Sequence, residues 1–303
     1  MMSFLDLTSR IQPIFTKNSI QLDILREDEL HPQISGNKFR KLKYNVQAFQ
    51  QGSFSTLLTF GGAYSNHISA TAAAGKAFKL PTIGLIRGEE LADKIDQNPT
   101  LSFAQSCGMQ LEFISREAYR EKSTPAFIQQ LEQRFGKFYL LPEGGTNALA
   151  IQGCEEILNE TTQNYDYIGV AVGTAGTISG ILNASEKHQK IIGFPALKFS
   201  DFLKKEILSW TKNEHFELMN GYHFGGYGKI NEDLVQFINQ FKQDYHVPLD
   251  PIYTGKMMFG IWDLIKKDYF APHSRILAIH TGGLQGIEGM NQELLKKNKT
   301  IIA

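Results

Sequence analysis

The sequence predicts an α/β fold with two open, twisted and mostly parallel sheets, each covered by helices. Short apolar runs alternate with amphipathic segments along the chain, an order typical of parallel sheets packed between helices. Residues 56–141 already form a compact unit of alternating strands and helices, and the polar stretch 159–164 is a reasonable linker into a second sheet. We therefore predict a large domain of residues 1–48 and 160–303 and a small α/β domain of residues 49–159.

The predicted strands are the short apolar runs. They cover residues 56–60, 81–86, 110–114, 137–141, 167–172, 191–194 and 276–280. The predicted helices are the amphipathic segments between and after these strands. They cover residues 66–78, 99–107, 125–135, 149–159, 177–185, 200–211, 232–243, 256–266 and 286–297. The glycine-rich segment 219–229 is predicted to be irregular and to line a cleft.

Composition excludes several classes of protein. The 303 residues are 42% hydrophobic and 20% charged, which is ordinary for a globular protein with a sizeable core. Lys and Arg together number 31, as do Asp and Glu, so no basic excess suggests a nucleic-acid partner. No stretch approaches the length of a membrane span.

Cysteine usage and the N-terminus point to a cytoplasmic protein. Cys107 and Cys154 are the two cysteines, too few for a metal framework and typical of a reducing compartment. The first residues lack a basic start followed by an uninterrupted apolar run, so no signal peptide is expected. We expect neither a bound metal nor a membrane partner.

A glycine-rich turn between a predicted strand and a predicted helix is suited to holding a phosphate. It consists of Gly173, Thr174, Ala175, Gly176 and Thr177. Without bulky side chains, its backbone N–H groups can approach an anion, the threonine hydroxyls add donors, and the next helix points its positive end there. A tight turn with no ligand is the alternative, because glycine also serves ordinary turns.

Two familiar ligands of such loops fit poorly. A nucleoside triphosphate loop would need a lysine after Gly176, and none follows. A dinucleotide site would need an acidic residue at the end of the next strand, where Lys198 stands, with Asp201 only beyond it. A cofactor with a single phosphate fits better. Similar glycine turns at residues 61–62, 144–145 and 282–283 follow other strands, so we expect the site in the cleft between the domains.

Two further segments supply groups for chemistry next to this turn. Lys38 stands at a predicted helix start beside Arg40 and Lys41, and desolvation or neighbouring cations would make it nucleophilic; the alternative is a solvated basic first turn. Ser65, Asn66 and His67 stand at the start of the next helix, a ready site for a carboxylate. There the alternatives are N-capping by Ser65 or Asn66 and simple packing of His67.

These pieces together resemble pyridoxal-phosphate (PLP) enzymes of the tryptophan synthase β-like fold, fold type II. Within that fold the chain resembles the D-cysteine desulfhydrase/1-aminocyclopropane-1-carboxylate (ACC) deaminase family. The matching segments occur in order over most of the chain. They are RED at residues 26–28, SGNKFRKL at 35–42, GAYSNH at 62–67, LIRGE at 85–89, PEGGTN at 142–147, GTAGT at 173–177, YTGK at 253–256 and HTGG at 280–283.

The resemblance implies a role for each candidate residue. Lys38 aligns with the lysine that bonds covalently to the cofactor aldehyde and then acts as a base. Ser65 aligns with a catalytic serine, and Tyr227 and Tyr253 align with two active-site tyrosines. The remaining implied roles concern binding: Lys41 and the turn of residues 173–177 for the phosphate, Asn66 for the ring hydroxyl, Thr254 for the ring nitrogen, and Tyr64, Ser65, Asn66 and His67 for the substrate.

Thr254 bears on the choice of substrate. By the resemblance, ACC deaminases carry glutamate at this position, whereas desulfhydrases carry threonine, as here. A hydroxyl does not hold a ring nitrogen protonated as a carboxylate does, and opening a cyclopropane needs the stronger electron sink. The sequence therefore favours β-elimination from D-cysteine over deamination of ACC. A phosphate-binding protein without covalent chemistry is the alternative from another class.

Two positions depart from the family pattern, and the assembly is inferred from the resemblance alone. Ser35 stands where glycine is more usual, and Tyr64 replaces a glutamine, which would reshape the substrate pocket. The resemblance favours a homodimer.

Overall fold

The computed structural model describes residues 7–17, 19–198 and 201–303, and within them ten strands form two sheets. The strands are β1 (Ile11–Lys17), β2 (Ile20–Leu25), β3 (Thr56–Gly61), β4 (Thr82–Arg87), β5 (Gln110–Ile114), β6 (Phe138–Leu141), β7 (Tyr167–Val172), β8 (Lys190–Pro195), β9 (Phe216–Leu218) and β10 (Arg275–Ile279).

Eleven α-helices in these ranges connect or follow the strands. They are α1 (Asn37–Gln51), α2 (Asn66–Phe78), α3 (Pro99–Ser106), α4 (Arg116–Arg120), α5 (Pro125–Phe135), α6 (Ala148–Glu155), α7 (Gly176–Ala184), α8 (Asp201–Leu208), α9 (Glu232–Tyr245), α10 (Thr254–Lys266) and α11 (Gly286–Lys296). Each predicted helix corresponds to one of them, although the predicted helix 149–159 ends at Glu155. The first residue of the predicted helix 200–211 lies outside the described residues.

The larger sheet has six strands in the order β1-β2-β10-β7-β8-β9. β1 pairs with β2 in antiparallel register, from Ile11 opposite Leu25 to Lys17 opposite Ile20. The other neighbours are parallel, with β10 between β2 and β7. The smaller sheet has the order β5-β4-β3-β6 and is parallel throughout. The prediction of two open, mostly parallel sheets is confirmed.

The sequence pattern missed three strands of the larger sheet, β1, β2 and β9. Residues 11–25 interleave polar with apolar side chains, so no continuous apolar run marks them. Asp23 in β2 is buried and accepts a hydrogen bond from the Tyr165 hydroxyl at 2.6 Å. That bond joins residues far apart in sequence, which local periodicity cannot reveal.

Helices cover both faces of the sheets, which is why most strands are apolar without alternation. On the larger sheet, one face packs under α9 and α10 and the other under α7 and α8. Beside the smaller sheet, the buried alanines of α2 let that helix approach closely; they are Ala70, Ala72, Ala73 and Ala74. Among the described residues, no helix combines the length and apolarity needed to cross a bilayer.

Candidate active site

A cavity of about 750 Å³ lies where the carboxyl ends of strands from both sheets face each other. Turns that follow β3, β6, β7 and β10 all reach it, and each contributes a glycine to its wall. Those glycines are Gly62, Gly144, Gly173 and Gly282. The glycine turns that the sequence analysis identified therefore meet at one cavity.

Helix α1 delivers Lys38 and Lys41 to this cavity. The Lys38 Nζ lies 3.1 Å from Asn37 Oδ1, and Asn37 Nδ2 donates to Thr177 Oγ1 at 2.8 Å, so the turn after β7 and the start of α1 are tied together. Burial, together with the neighbouring Lys41 ammonium, lowers the pKa of Lys38 to about 7. A large fraction of Lys38 is therefore the neutral, nucleophilic amine at neutral pH.

Lys41 is 1% exposed and points at the start of α7. Its Nζ donates to Gly144 O at 3.0 Å, to Thr146 Oγ1 at 3.1 Å and to Thr174 Oγ1 at 3.3 Å. All three hydrogen-bond partners are neutral oxygens. Burial lowers the pKa of Lys41, which means that burial disfavours the charged ammonium. An ammonium beside the positive end of α7 is a place for an anion, which argues against a turn with no ligand.

Close packing explains two glycines of the turn. A Cβ on Gly176 would lie 2.8 Å from Thr146 Oγ1 and 3.1 Å from Lys41 Nζ. A Cβ on Gly173 would lie 2.9 Å from the ring of Tyr253. Ala175 is the residue before α7, and the Thr177 hydroxyl accepts from Asn37 as described. The two glycines thus allow Lys41 and Tyr253 to approach the backbone of this turn closely.

Ser65 and Asn66 begin α2 at the cavity wall. Ser65 Oγ accepts from the N–H of Ile68 at 3.3 Å, so the N-capping alternative is correct, and the hydroxyl proton stays available for a ligand. Asn66 approaches Gly283 so closely that a Cβ there would lie 2.8 Å from its Nδ2. Tyr64 packs its ring over Gly289 of α11 and forms part of the wall.

His67 lines the cavity but is anchored from behind. The Thr59 Oγ1 donates to Leu141 O at 2.8 Å, so it can only accept from His67 Nε2, also at 2.8 Å. His67 is therefore the tautomer with its proton on Nε2. Burial and the nearby Lys38 and Lys41 charges hold its pKa well below the usual value, so the ring is neutral. This contact agrees with the packing alternative for His67.

The Thr59 hydroxyl gives a test of this tautomer. In Thr59→Val, His67 Nε2 and Leu141 O would both lose their partner while buried, so the free energy of unfolding should fall by about 1–3 kcal/mol. The matched control is Thr71→Val in α2, because Thr71 Oγ1 is buried without a partner among the described residues. Urea unfolding should find that control within about 0.5 kcal/mol of wild type. Equal losses in both variants would contradict the assignment.

Tyr253 and Tyr227 lie side by side in the cavity wall. Their ring centroids are 6.1 Å apart in an edge-on arrangement, and both rings line the cavity. Burial raises the pKa of Tyr253 well above its usual value, so its phenol keeps its proton at neutral pH. Tyr227 is 48% exposed and lies nearer the rim. The pair can offer a proton to a ligand beside Lys38.

The hydroxyl of Thr254 is hydrogen-bonded to the carboxylate of Asp250, a residue that the sequence analysis did not identify. Its Oγ1 donates to Asp250 Oδ2 at 2.6 Å and accepts from the Asp250 N–H at 2.9 Å. Thr254 follows Tyr253 in sequence, is fully buried and is not among the residues that line the cavity. Because its one proton is used, its Oγ1 could only accept a hydrogen bond from a ligand. Asp250 is buried and also accepts from three backbone N–H groups, those of Ile252, Tyr253 and Thr254. An aspartate just before a helix start is the signal that could have found it.

Two charged residues that line the cavity, Arg87 and Glu143, had no role in the sequence analysis. The Arg87 guanidinium stacks on the Tyr119 ring at 5.4 Å and lines the mouth. Glu143 lines the same mouth and forms an ion pair with Lys122 at 3.3 Å. Both lie within segments that carry the family resemblance, so position in those segments was the available signal.

Comparisons with known proteins agree with this site. A family model described as pyridoxal-phosphate dependent enzyme matches residues 15–282. A curated relative from Pyrococcus furiosus, a putative 1-aminocyclopropane-1-carboxylate deaminase, is 30% identical, with 87% of this chain and 84% of the relative covered. A mitochondrial bifunctional D-cysteine desulfhydrase/1-aminocyclopropane-1-carboxylate deaminase from Arabidopsis thaliana is also 30% identical, with 89% and 74% covered.

Solved structures give the same result for the fold. The crystal structure of an ACC deaminase homologue superposes with a TM-score of 0.80 at 27% identity, covering 96% of this chain and 94% of that one. A fungal L-serine ammonia-lyase from Rhizomucor miehei superposes with a TM-score of 0.67 over 96% and 98% of the two chains. At 13% identity, the latter likeness concerns the fold alone.

Proposed function

The chain belongs to the pyridoxal-phosphate dependent enzyme family, and on this premise we propose that it is a D-cysteine desulfhydrase. In this reaction D-cysteine and water give pyruvate, hydrogen sulfide and ammonia. The observation that carries the cofactor chemistry is the pairing of Lys38, a buried amine with a pKa of about 7, with the anion site at Lys41 and α7. The choice of D-cysteine rests on Thr254, since by the resemblance desulfhydrases carry threonine there.

The residues present fit the cofactor. An aldehyde needs a neutral amine, which Lys38 supplies, and a phosphate needs cationic and N–H donors, which Lys41 and the first turn of α7 supply. The phenol ring of Tyr253 lies so close to Gly173 that no side chain would fit between that ring and the turn. When bound, pyridoxal phosphate supplies an aldehyde for the substrate amine and a ring that accepts the electron pair released at the α-carbon.

The chain's own groups would then move the protons. The Lys38 Nζ, once free as an amine, is the base for the α-proton, and its lowered pKa suits that task near neutral pH. The Tyr253 hydroxyl, which stays protonated, is the donor to the leaving sulfur. The Ser65 hydroxyl and the first N–H groups of α2 are the donors to the substrate carboxylate. Tyr227 and Tyr64 border the substrate from the rim.

ACC deamination to 2-oxobutyrate and ammonia is the second candidate, and Asp250 is the observation that favours it. Thr254 can only accept from the ring nitrogen, and the Asp250 carboxylate behind it would strengthen that acceptor and favour a protonated ring. The threonine therefore separates the two reactions less sharply than its residue type suggests. The names of the Pyrococcus furiosus and Arabidopsis thaliana relatives include this activity.

A substrate panel tests the choice. Purified, cofactor-loaded protein is assayed for sulfide, pyruvate and 2-oxobutyrate with D-cysteine, L-cysteine and ACC in parallel, against cofactor without protein as the control. We expect sulfide and pyruvate in equal amounts from D-cysteine, at the highest rate of the panel. Faster 2-oxobutyrate release from ACC would overturn the first proposal in favour of the second. A loaded protein that turns over none of the three would favour a non-catalytic phosphate-ligand-binding protein.

We also propose a domain division, an oligomeric state and a cellular location for this protein. We propose that the smaller sheet marks a domain of residues 49–159, with the larger domain formed by 1–48 and 160–303 and the active site between them. Helix α1 crosses the first of these boundaries, since it extends from Asn37 to Gln51. We further propose a homodimer, on the family resemblance, and a cytoplasmic location, on the low cysteine content.

A further inference from the structure

Lys256 is a buried lysine that the proposed reaction does not use. It lies in the first turn of α10, two residues after Thr254, and is 2% exposed. Its Nζ donates to His223 O at 2.8 Å and to Gly226 O at 2.9 Å. The ammonium thus joins the helix that begins beside Tyr253 to the segment that carries Tyr227.

The segment of residues 223–228 has little regular structure to hold it in place. Four of its residues have left-handed backbone angles, with φ of 52° at Phe224, 96° at Gly225, 118° at Gly226 and 67° at Gly228. Such angles are unfavourable for Phe224 and cost glycine conformational entropy, so the conformation needs support from outside. The Lys256 ammonium supplies that support at two carbonyls, the second of them adjacent to Tyr227.

We propose that Lys256 is a positioning residue that fixes the backbone of residues 223–228 and so keeps Tyr227 against Tyr253 at the cavity. The functional part of this inference rests on the proposed function, because that proposal makes the tyrosine pair part of the active site. The structural part does not, since it concerns only how this segment is held.

Both described hydrogen bonds of Lys256 go to this segment, while the Asp250 carboxylate contributes a favourable charge. The neighbours of Lys256 on α10, Met257 and Met258, are buried and apolar, and a third methionine would fill the same space without the cost of desolvating an ammonium. Burial lowers the pKa of Lys256 to about 8, so the ammonium form predominates at pH 7 and both hydrogen bonds are charge-assisted. A buried cation whose described hydrogen bonds both go to one segment is therefore best understood by its effect on that segment.

Hydrogen exchange tests the inference without substrate or cofactor. In the cofactor-free protein, we expect Lys256→Met to accelerate amide exchange in peptides spanning residues 221–229 by about tenfold. Lys256→Gln, which keeps an N–H donor, should accelerate it less than Lys256→Met. The matched control is Met257→Ala, which disturbs the same turn of α10 without removing a donor to the segment. Exchange there should stay within about twofold of wild type in these peptides.

Two outcomes would overturn the inference. One is exchange in residues 221–229 that changes no more in Lys256→Met than in Met257→Ala. The other outcome applies if Lys256→Met does not fold. In that case Lys256→Ala is measured instead, and exchange of these peptides at the wild-type rate in the folded Lys256→Ala protein would overturn the inference. In the loaded enzyme, Lys256→Met should raise KM or lower kcat on the best substrate while cofactor affinity stays within about threefold of wild type. A protein inactive on every substrate would defeat the proposed function but leave the exchange result decisive for Lys256.

Discussion

Lys38→Ala should abolish turnover, with a loss of about 10⁴-fold or more in kcat on the best substrate of the panel. On the proposed function, the variant removes both the amine that holds the cofactor and the base for the α-proton. Lys41 and the first turn of α7 stay intact, so the protein should still bind pyridoxal phosphate, but weakly. An assay of product formation measures the loss of turnover, and equilibrium dialysis with pyridoxal phosphate measures the weakened binding of the cofactor.

The control for this variant is Lys187→Ala, which removes an exposed lysine that does not line the cavity. It should leave both turnover and cofactor affinity at the wild-type level. Activity of Lys38→Ala within tenfold of wild type would refute the assignment of Lys38, whatever the substrate proves to be.

Gly36→Ala should cost several kcal/mol of stability and most of the cofactor affinity. Gly36 precedes α1 with φ of 62°, and a Cβ there would lie 2.0 Å from Thr281 O and 2.6 Å from Gly282 N. Both are backbone atoms after β10, so neither can move aside alone. We expect about 1–2 kcal/mol from the left-handed angle and about 1–3 kcal/mol from the overlap. Because α1 carries Lys38 and Lys41, any shift of its start also displaces the proposed cofactor site.

Gly108→Ala separates the two contributions. Gly108 also has a left-handed φ, 87°, but a Cβ there would meet nothing within 4 Å. Its urea unfolding should show only the backbone cost of about 1–2 kcal/mol, with normal cofactor binding. Equal losses of stability in the two variants would mean that the start of α1 is not held against the β10 turn as described.

Most of the fold could be predicted because its central strands are buried on both faces. A strand such as β7 has to be continuously apolar, and its glycine turn has to follow directly for α7 to begin at Gly176. Such local requirements leave a pattern in the sequence. The missed strands lack such a continuous apolar run: β1 and β2 interleave polar with apolar residues, among them the buried Asp23 that binds Tyr165, and β9 is three residues long.

The candidate site could be predicted in its residues but not in its hydrogen bonds. Lys38 and the turn after β7 belong to segments with recognisable residue types, and the structure brings them to one cavity. The proton arrangement around Thr254 depends on Asp250, and that of His67 depends on Thr59 and Leu141. These contacts are decided by packing between elements, so the sequence alone could not show which atoms keep a free lone pair.

The departures from the family pattern also became interpretable only in three dimensions. Ser35, which stands where glycine is more usual, donates to Asp28 O at 3.2 Å beside the turn after β10. Tyr64 packs over Gly289 and is 38% exposed, so it narrows the rim without filling the space beside Lys38. We expect such a change to affect which substrate enters more than whether the chemistry proceeds.

The central claim is that Lys38 holds the cofactor in this cavity, and one labelling measurement tests it most directly. Wild-type protein and Lys38→Ala are loaded with pyridoxal phosphate, reduced with borohydride, digested and analysed by peptide mass spectrometry. We predict that the reduced cofactor is found on Lys38 of the wild-type protein and is absent from the variant. A label on Lys41 or any other lysine, or a wild-type protein that stays colourless and cannot be loaded, would contradict the account.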